Sequence, residues 1–300
     1  VIKFRRVFCI LLSLGLALLL SGCHLDILDP KGAIAASEKN LLIDATLLML
    51  IVVIPVIIIN FVFAWWYRAS NTKATYRPND SHSTIIEVIC WTIPCIIILI
   101  LAIMTWISTH RLDPYRPLSV PGKPITIQAI ALEWKWLFIY PEQNIATINF
   151  MQIPENTQVK ILVTSHAPMN SLEIPQLAGQ IYAMAGMQTK LHLIANEKGD
   201  YDGLSTNFSG DGFSGMRFVV RVSSADDFQQ WVNHAQKASQ KLDWATYIKL
   251  TEPSEKDPVQ YFSGLEKDLF NNVMMMFMMP MPGMQIDADG SRFTITNIKH

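Results

Sequence analysis

The chain has 300 residues, of which 50% are hydrophobic and only 16% charged, with a formal net charge of −1. Against roughly 25% charged residues in an ordinary soluble chain, the deficit is local: residues 7–22 carry no charge, residues 43–66 only Asp44, and residues 85–109 only Glu87. From residue 110 onward there are 16 Lys/Arg against 19 Asp/Glu, a balance of 16 − 19 = −3, so a single cytoplasmic globule is excluded and nucleic acid is not an expected partner.

In chain order, Lys3, Arg5 and Arg6 precede an apolar run, Val7 to Leu20, too short to cross ~30 Å of hydrocarbon as a helix. It reads as an export signal over residues 1–22. Its end, Leu20-Ser21-Gly22-Cys23, is similar to a bacterial lipobox, which makes Cys23 the expected lipidation site and residues 23–42 an exported segment. Residues 43–66 and 85–108 are each long enough, at ~36 Å as helix, to span a bilayer. Trp65, Trp66, Tyr67 and Trp106 stand where interfacial aromatics belong, and Pro55 and Pro94 lie mid-span. The connecting loop, 67–84, carries Arg68, Lys73 and Arg77 against Asp80 and is expected on the cytoplasmic side. Thr84-Ile85-Ile86-Glu87 matches a capping box, and Glu87 is also the one acidic residue of the second span. Cys90 and Cys95 are expected as packing residues within the membrane; of the four cysteines the others are Cys9 and Cys23, and the chain beyond residue 95 has none, which excludes a disulfide framework or a thiolate metal site there.

After Pro114, Pro117, Pro121 and Pro124 the period changes from helix to strand. Strands are expected at 125–130, 133–140, 145–150, 158–164, 189–194 and 216–222, separated by Gly, Pro, Asn and Asp clusters. Short strands at this spacing over residues 109–224 point to a β-sandwich or Greek-key barrel. From Ala225 the pattern is helical, with Phe228, Trp231 and Val232 and later Tyr261, Phe262, Leu265, Leu269 and Phe270 at helical spacing, so residues 225–300 are expected as a helical appendage and tail. The histidines beyond residue 109 (His110, His166, His192, His234, His300) show no metal-ligand spacing. Gly210-Asp211-Gly212-Phe213-Ser214-Gly215 spells a dinucleotide fingerprint, but it precedes a strand and does not open a helix.

Two spans followed by such a β domain resemble subunit II of the haem-copper respiratory oxidases over about residues 20–280. The resemblance implies a two-helix transmembrane hairpin carrying an all-β cupredoxin-like Greek-key domain with a small C-terminal helical appendage. In the cytochrome c-oxidising members this domain holds a dinuclear copper centre on a C-x3-C-x3-H-x2-M run and an upstream His. Here those positions read Ser205, Ser209, Phe213, Met216 and Asn170, and the acidic position between the cysteines reads Asn207. Ser hydroxyls stay protonated at neutral pH and cannot bridge copper ions as thiolates do, so only Met216 is left as a weak donor.

The stretches at 133–141, 174–177, 180–188 and 208–216 resemble the quinol-oxidising, bo-type branch. That resemblance implies no metal and no catalytic residue in this chain, and haem b, haem o and copper in subunit I. It also implies subunits I, III and IV as partners, ubiquinol and not cytochrome c as the reductant of the complex, and an inner-membrane protein with its C-terminal domain in the periplasm. Glu87 becomes a candidate for the mouth of a proton path. Trp134, Trp136, Phe138 and Tyr140 are expected as core and subunit-contact residues. Met274, Met275, Met276, Met278, Met279, Met281 and Met284 are expected as an apolar docking surface, in preference to a Cu(I) site.

Overall fold

The computed structural model describes residues 25–75, 82–118, 120–278, 284–286 and 293–295. Cys23 and the signal segment lie outside the described residues. Helix α1 runs Ala33–Trp66 and helix α2 Thr84–Arg111. Both are long and apolar enough to cross a membrane, with mean hydropathy 3.0 and 2.7 and no buried residue in the apolar window. A helix apolar on every side needs an apolar surround, and Cys90 and Cys95 are exposed on this surface.

Helix α1 starts ten residues before its apolar run. The extra turns leave the expected span and rest on the β domain, where Ala35 is buried. The chain enters this contact through Gly32, whose amide donates to the Gln176 carbonyl. A Cβ on Gly32 would lie 2.5 Å from the Leu177 oxygen, so only glycine fits. Lys31 continues the attachment by pairing with Glu197 at 2.8 Å.

The β domain comprises β1 (Ile125–Leu132), β2 (Lys135–Tyr140), β3 (Ile145–Ile148), β4 (Phe150–Pro154), β5 (Val159–Ser165), β6 (Asn170–Ile174), β7 (Ala178–Ala183), β8 (Thr189–Leu193), β9 (Gly199–Ser205) and β10 (Arg217–Ser223). Then come α3 (Ala225–Ala235), α4 (Trp244–Leu250), β11 (Gln260–Ser263), α5 (Leu269–Met275) and the small pair β12 (Met284–Ile286) and β13 (Phe293–Ile295). One sheet has the order β11-β3-β2-β1-β5-β8 and the other β4-β10-β9-β6-β7. β1 runs parallel to β5 and β4 parallel to β10, the remaining pairs of these sheets being antiparallel. This is a two-sheet Greek-key sandwich of cupredoxin type.

The expected strand 145–150 stops as β3 at Ile148; Asn149 sits at φ 54°, and a further strand, β4, runs on from Phe150 to Pro154, beyond the expected end. Asn tolerates the left-handed region, and its side chain occupies the corner: Oδ1 accepts from the Trp136 amide at 2.9 Å. The chain thereby passes from one sheet to the other.

Two cores result. Trp136, Phe138 and Tyr140 face the space between the sheets, with Met151, Ile161, Leu172, Met216 and Phe218. Leu137 and Ile139, pointing the other way, join Ile130, Ile148, Tyr247, Phe262, Phe270 and Val273 under the C-terminal appendage. β2 is therefore buried on both faces. This bears out the expected core role of Trp136, Phe138 and Tyr140 and corrects the expected subunit contact. Trp136, Phe138 and Tyr140 have no exposed surface with which to touch another subunit; Trp134 precedes the strand at φ 60°. Tyr140 completes its hydrogen bonding inside, donating to the Gln152 carbonyl and accepting from the Gln152 amide. Burial pushes its phenol far above the ordinary range.

A second correction concerns Tyr261 and Phe262, which lie on strand β11 and not on a helix; β11 pairs with β3. Pro258 and Gly264 bound a segment too short for a helix, and the edge of β3 offers ladder partners. Helix α3 stands where the sequence puts it, capped by Ser224, whose Oγ accepts from the Asp227 amide at 3.1 Å. In the described part of the methionine cluster, Met278 is exposed beside Phe277, whose ring lies edge-on to His166 at 5.2 Å. Met279 and Met281 fall outside the described residues, as does the side chain of Met284.

The candidate copper position and the proton-path residue

The positions singled out from the sequence come together at one end of the sandwich. Asn170 opens β6 and Ser205 closes β9; both are buried, and the Ser205 hydroxyl donates to Asn170 Oδ1 at 3.0 Å. The Asn170 amide nitrogen donates to the Pro168 carbonyl at 2.8 Å. The Ser205 backbone amide reaches the Met216 carbonyl at 3.2 Å, which holds Met216 beside it, with its side chain built into the inter-sheet core. Asn207 turns away and donates to the Met169 carbonyl at 2.7 Å. Phe213 lies against Phe208 on the connecting loop, ring centres 5.5 Å apart.

The loop is closed from the other side by Trp134. Its indole N–H donates to the Ser209 carbonyl at 3.0 Å, and its ring lies flat against Gly212, where a Cβ would come within 2.4 Å of ring carbon. The Ser209 hydroxyl is buried with no hydrogen-bond partner.

Chemically, the donors at this end are an amide, hydroxyls and one thioether, and two of them are consumed by bonding each other. Without thiolate or imidazole they cannot supply the soft, charged ligand field that a dinuclear copper centre requires. Among the described residues no group of three or more His, Cys, Asp or Glu side chains is arranged to hold a metal ion.

Sequence reasoning missed a buried ion pair nearby. Lys135 is nearly fully buried on β2 and pairs with Asp257 at 3.2 Å, donates to the Glu252 carbonyl at 3.0 Å, and bonds the Ser254 hydroxyl. Asp257 in turn accepts through its carbonyl from Asn149 Nδ2 at 3.0 Å. These contacts tie the appendage to the corner where the chain changes sheets. A lysine between two tryptophans is the only sequence signal, and its partner lies more than a hundred residues away.

Glu87 sits in the first turn of α2, half exposed, with Oε2 3.7 Å from His82 Nδ1. The expected capping box is not formed. The N-cap is Ser83, one residue earlier, and no side chain caps the helix end. Glu87 is then one residue beyond the position from which a box glutamate reaches back.

A two-helix membrane anchor bearing a cupredoxin-type sandwich, with amide and hydroxyl groups at the positions the resemblance assigns to copper ligands, defines a subunit II of the haem-copper oxidase class without thiolate or imidazole at those positions. Comparison with known proteins agrees. The "COX Aromatic Rich Motif" family model matches residues 236–281, the appendage over the outer sheet face. The chain is 55% identical to cytochrome bo(3) ubiquinol oxidase subunit 2 of Pseudomonas aeruginosa, over 88% of this chain and 80% of that one. It is 48% identical to ubiquinol oxidase subunit 2 of Acetobacter aceti over 96% and 95%, and 36% identical to quinol oxidase subunit 2 of Bacillus cereus over 81% and 84%. The chain belongs to the ubiquinol oxidase subunit 2 family.

Proposed function

We propose that this chain is subunit 2 of an inner-membrane, proton-translocating ubiquinol oxidase, whose complex oxidises ubiquinol and reduces oxygen to water. Its own part is non-redox: it supports and assembles with the other oxidase subunits, among them subunits I, III and IV, while haem b, haem o and copper reside in subunit I. The observation that carries this reading is the Ser205–Asn170 hydrogen bond, which fills with two neutral side chains the place where a copper relay from a soluble cytochrome would stand. A quinol dissolved in the bilayer delivers electrons within the membrane and needs no such relay. Affinity purification through a tag on this chain should bring down haem-containing partners and quinol-dependent oxygen uptake. Recovery of the chain alone in mild detergent, with no haem spectrum, would refute the assignment.

Two residues carry further roles in this reading. Glu87 opens the helix that starts at the cytoplasmic face, the side from which protons for oxygen reduction enter. With no capping bond to make, its contribution is its ionisable carboxyl. Glu87→Gln should therefore slow turnover severalfold, nearly as much as Glu87→Ala, with haem content unchanged; full turnover in Glu87→Gln would remove the proton role. Cys23 is the lipidated first residue of the mature chain. Each buried CH₂ adds ~0.8 kcal/mol to anchoring, but two spans already hold the protein. Cys23→Ala should stay in the membrane fraction, and mass spectrometry of the mature chain should find an acylated Cys23; an unmodified N-terminus would refute the lipid.

A further inference from the structure

A cavity of 250 Å³ lies where helix α1, the end of α2, the proline linker and the edge of the β domain meet. Its lining includes Glu38, Arg111, Asp113, Arg116 and His192. The linker is fixed at this place, because the His192 amide and its Nδ1 both bond the Pro114 carbonyl, at 3.2 and 3.0 Å. The volume is below the ~300–1,000 Å³ of pockets for drug-sized ligands, so it suits a small polar group and not an entire lipid.

Its height relative to the membrane follows from helix geometry. Taking residues 43–66 and 85–108 as the apolar spans, Arg111 lies three residues beyond one and Glu38 five residues before the other. At 1.5 Å per residue these are ~4.5 and ~7.5 Å outside the hydrocarbon. The headgroup layer on one side of a bilayer is roughly 5–8 Å thick, so the cavity opens at headgroup level.

Its charges are unmatched. Among the described residues neither the Arg111 nor the Arg116 guanidinium makes a hydrogen bond or ion pair, and the partly buried Glu38 has no cation partner. Burial, with the like charge of Glu173, holds the Glu38 carboxyl above its ordinary range, as expected of an acid without a counter-ion. Asp113 accepts from the Tyr115 amide with one oxygen only.

We infer that this cavity is a binding site for the headgroup of a phosphatidylethanolamine lipid, its phosphate held by Arg111 and Arg116 and its ammonium by Glu38 and Asp113. Two cations beside two carboxylates match a zwitterion. An anionic phosphatidylglycerol headgroup would leave the carboxylates uncompensated, and a choline headgroup has no N–H to donate to them. Guanidinium is suited to phosphate because its fork of donors meets two oxygens at once. The inference rests on the two-span reading of the chain and is independent of the electron donor.

The test uses the intact purified complex in phosphatidylcholine nanodiscs containing a small fraction of photoreactive phosphatidylethanolamine, with the labelled peptides identified by mass spectrometry. Labelling of the peptide spanning 111–118 is expected, and the double variant Arg111→Gln/Arg116→Gln should reduce it about tenfold or more, from the loss of charge-assisted bonds. Photoreactive phosphatidylglycerol and phosphatidylcholine at the same fraction should label it weakly. Equal labelling by all three probes, or unchanged labelling in the double variant, would overturn the site. Displacement of the probe by millimolar inorganic phosphate would reassign it to the free anion and overturn the lipid. A second variant, Glu38→Gln, keeps both arginines and should erase the preference for ethanolamine over glycerol; a preference retained there would contradict the proposed ammonium contact. Haem content of each variant reports assembly.

Discussion

Asp257→Asn should destabilise the β domain by about 3–5 kcal/mol, the usual consequence of leaving one partner of a buried ion pair without its counter-charge. Lys135 is 4% exposed at its side chain and Asp257 19%, so the ammonium cannot turn to water while the carboxylate has partial access. The domain is large enough that each kcal/mol moves the midpoint by ~2–4 °C, so thermal unfolding should shift down by roughly 10 °C. Replacing both partners with apolar residues, Lys135→Met with Asp257→Leu, should recover at least half of the loss because no charge is then stranded. Thermal denaturation followed by tryptophan fluorescence is the measurement. A shift under about 2 °C in Asp257→Asn would mean that the pair is not buried as described, the range expected of an exposed ion pair.

The second large effect is a gain of chemistry. The β domain with its linker and appendage, residues 110–300, contains both hydrophobic cores apart from partly buried Ile34 of α1. Given Ser205→Cys, Ser209→Cys, Asn170→His and Phe213→His together, it should take up copper and develop the purple absorption of a mixed-valence pair. Positions 170 and 205 already stand within hydrogen-bond reach of each other, and Met216 is fixed beside Ser205 by a backbone bond. The unmodified domain should bind no stoichiometric copper. Uptake of one equivalent or more by the unmodified domain would contradict the quinol-oxidase reading.

The strands that were readable in the sequence are those with buried β-branched or aromatic alternation, such as Val159, Ile161 and Val163 on β5. Strands β6, β7 and β9 escaped because their sequences, NSLEI, AGQIYA and GDYDGLS, are polar or small and show no apolar period. They are strands because neighbouring chains supply ladder partners, which is tertiary information. The same holds for β11, whose aromatic residues imitate helical spacing but divide between the two faces, Phe262 in the outer core and Tyr261 against the inter-sheet core. Both apolar helices were legible from composition alone. Their extension back to Ala33 was not, since it depends on Gly32 fitting against Leu177. The copper position was legible through family resemblance, residue by residue; that Asn170 and Ser205 bond each other was not. The Lys135–Asp257 pair has no local pattern at all, because only the fold brings its members together.

The central claim is that electrons enter the complex from a membrane quinol and not through a copper centre in this chain. Oxygen uptake by the tag-purified complex, measured side by side with ubiquinol and with reduced cytochrome c, and with copper and haem quantified on the same sample, tests it most directly. Rapid uptake with ubiquinol, none with cytochrome c, and one copper for each pair of haems is the expected result. Uptake driven by cytochrome c, with copper in excess of that ratio, would contradict it.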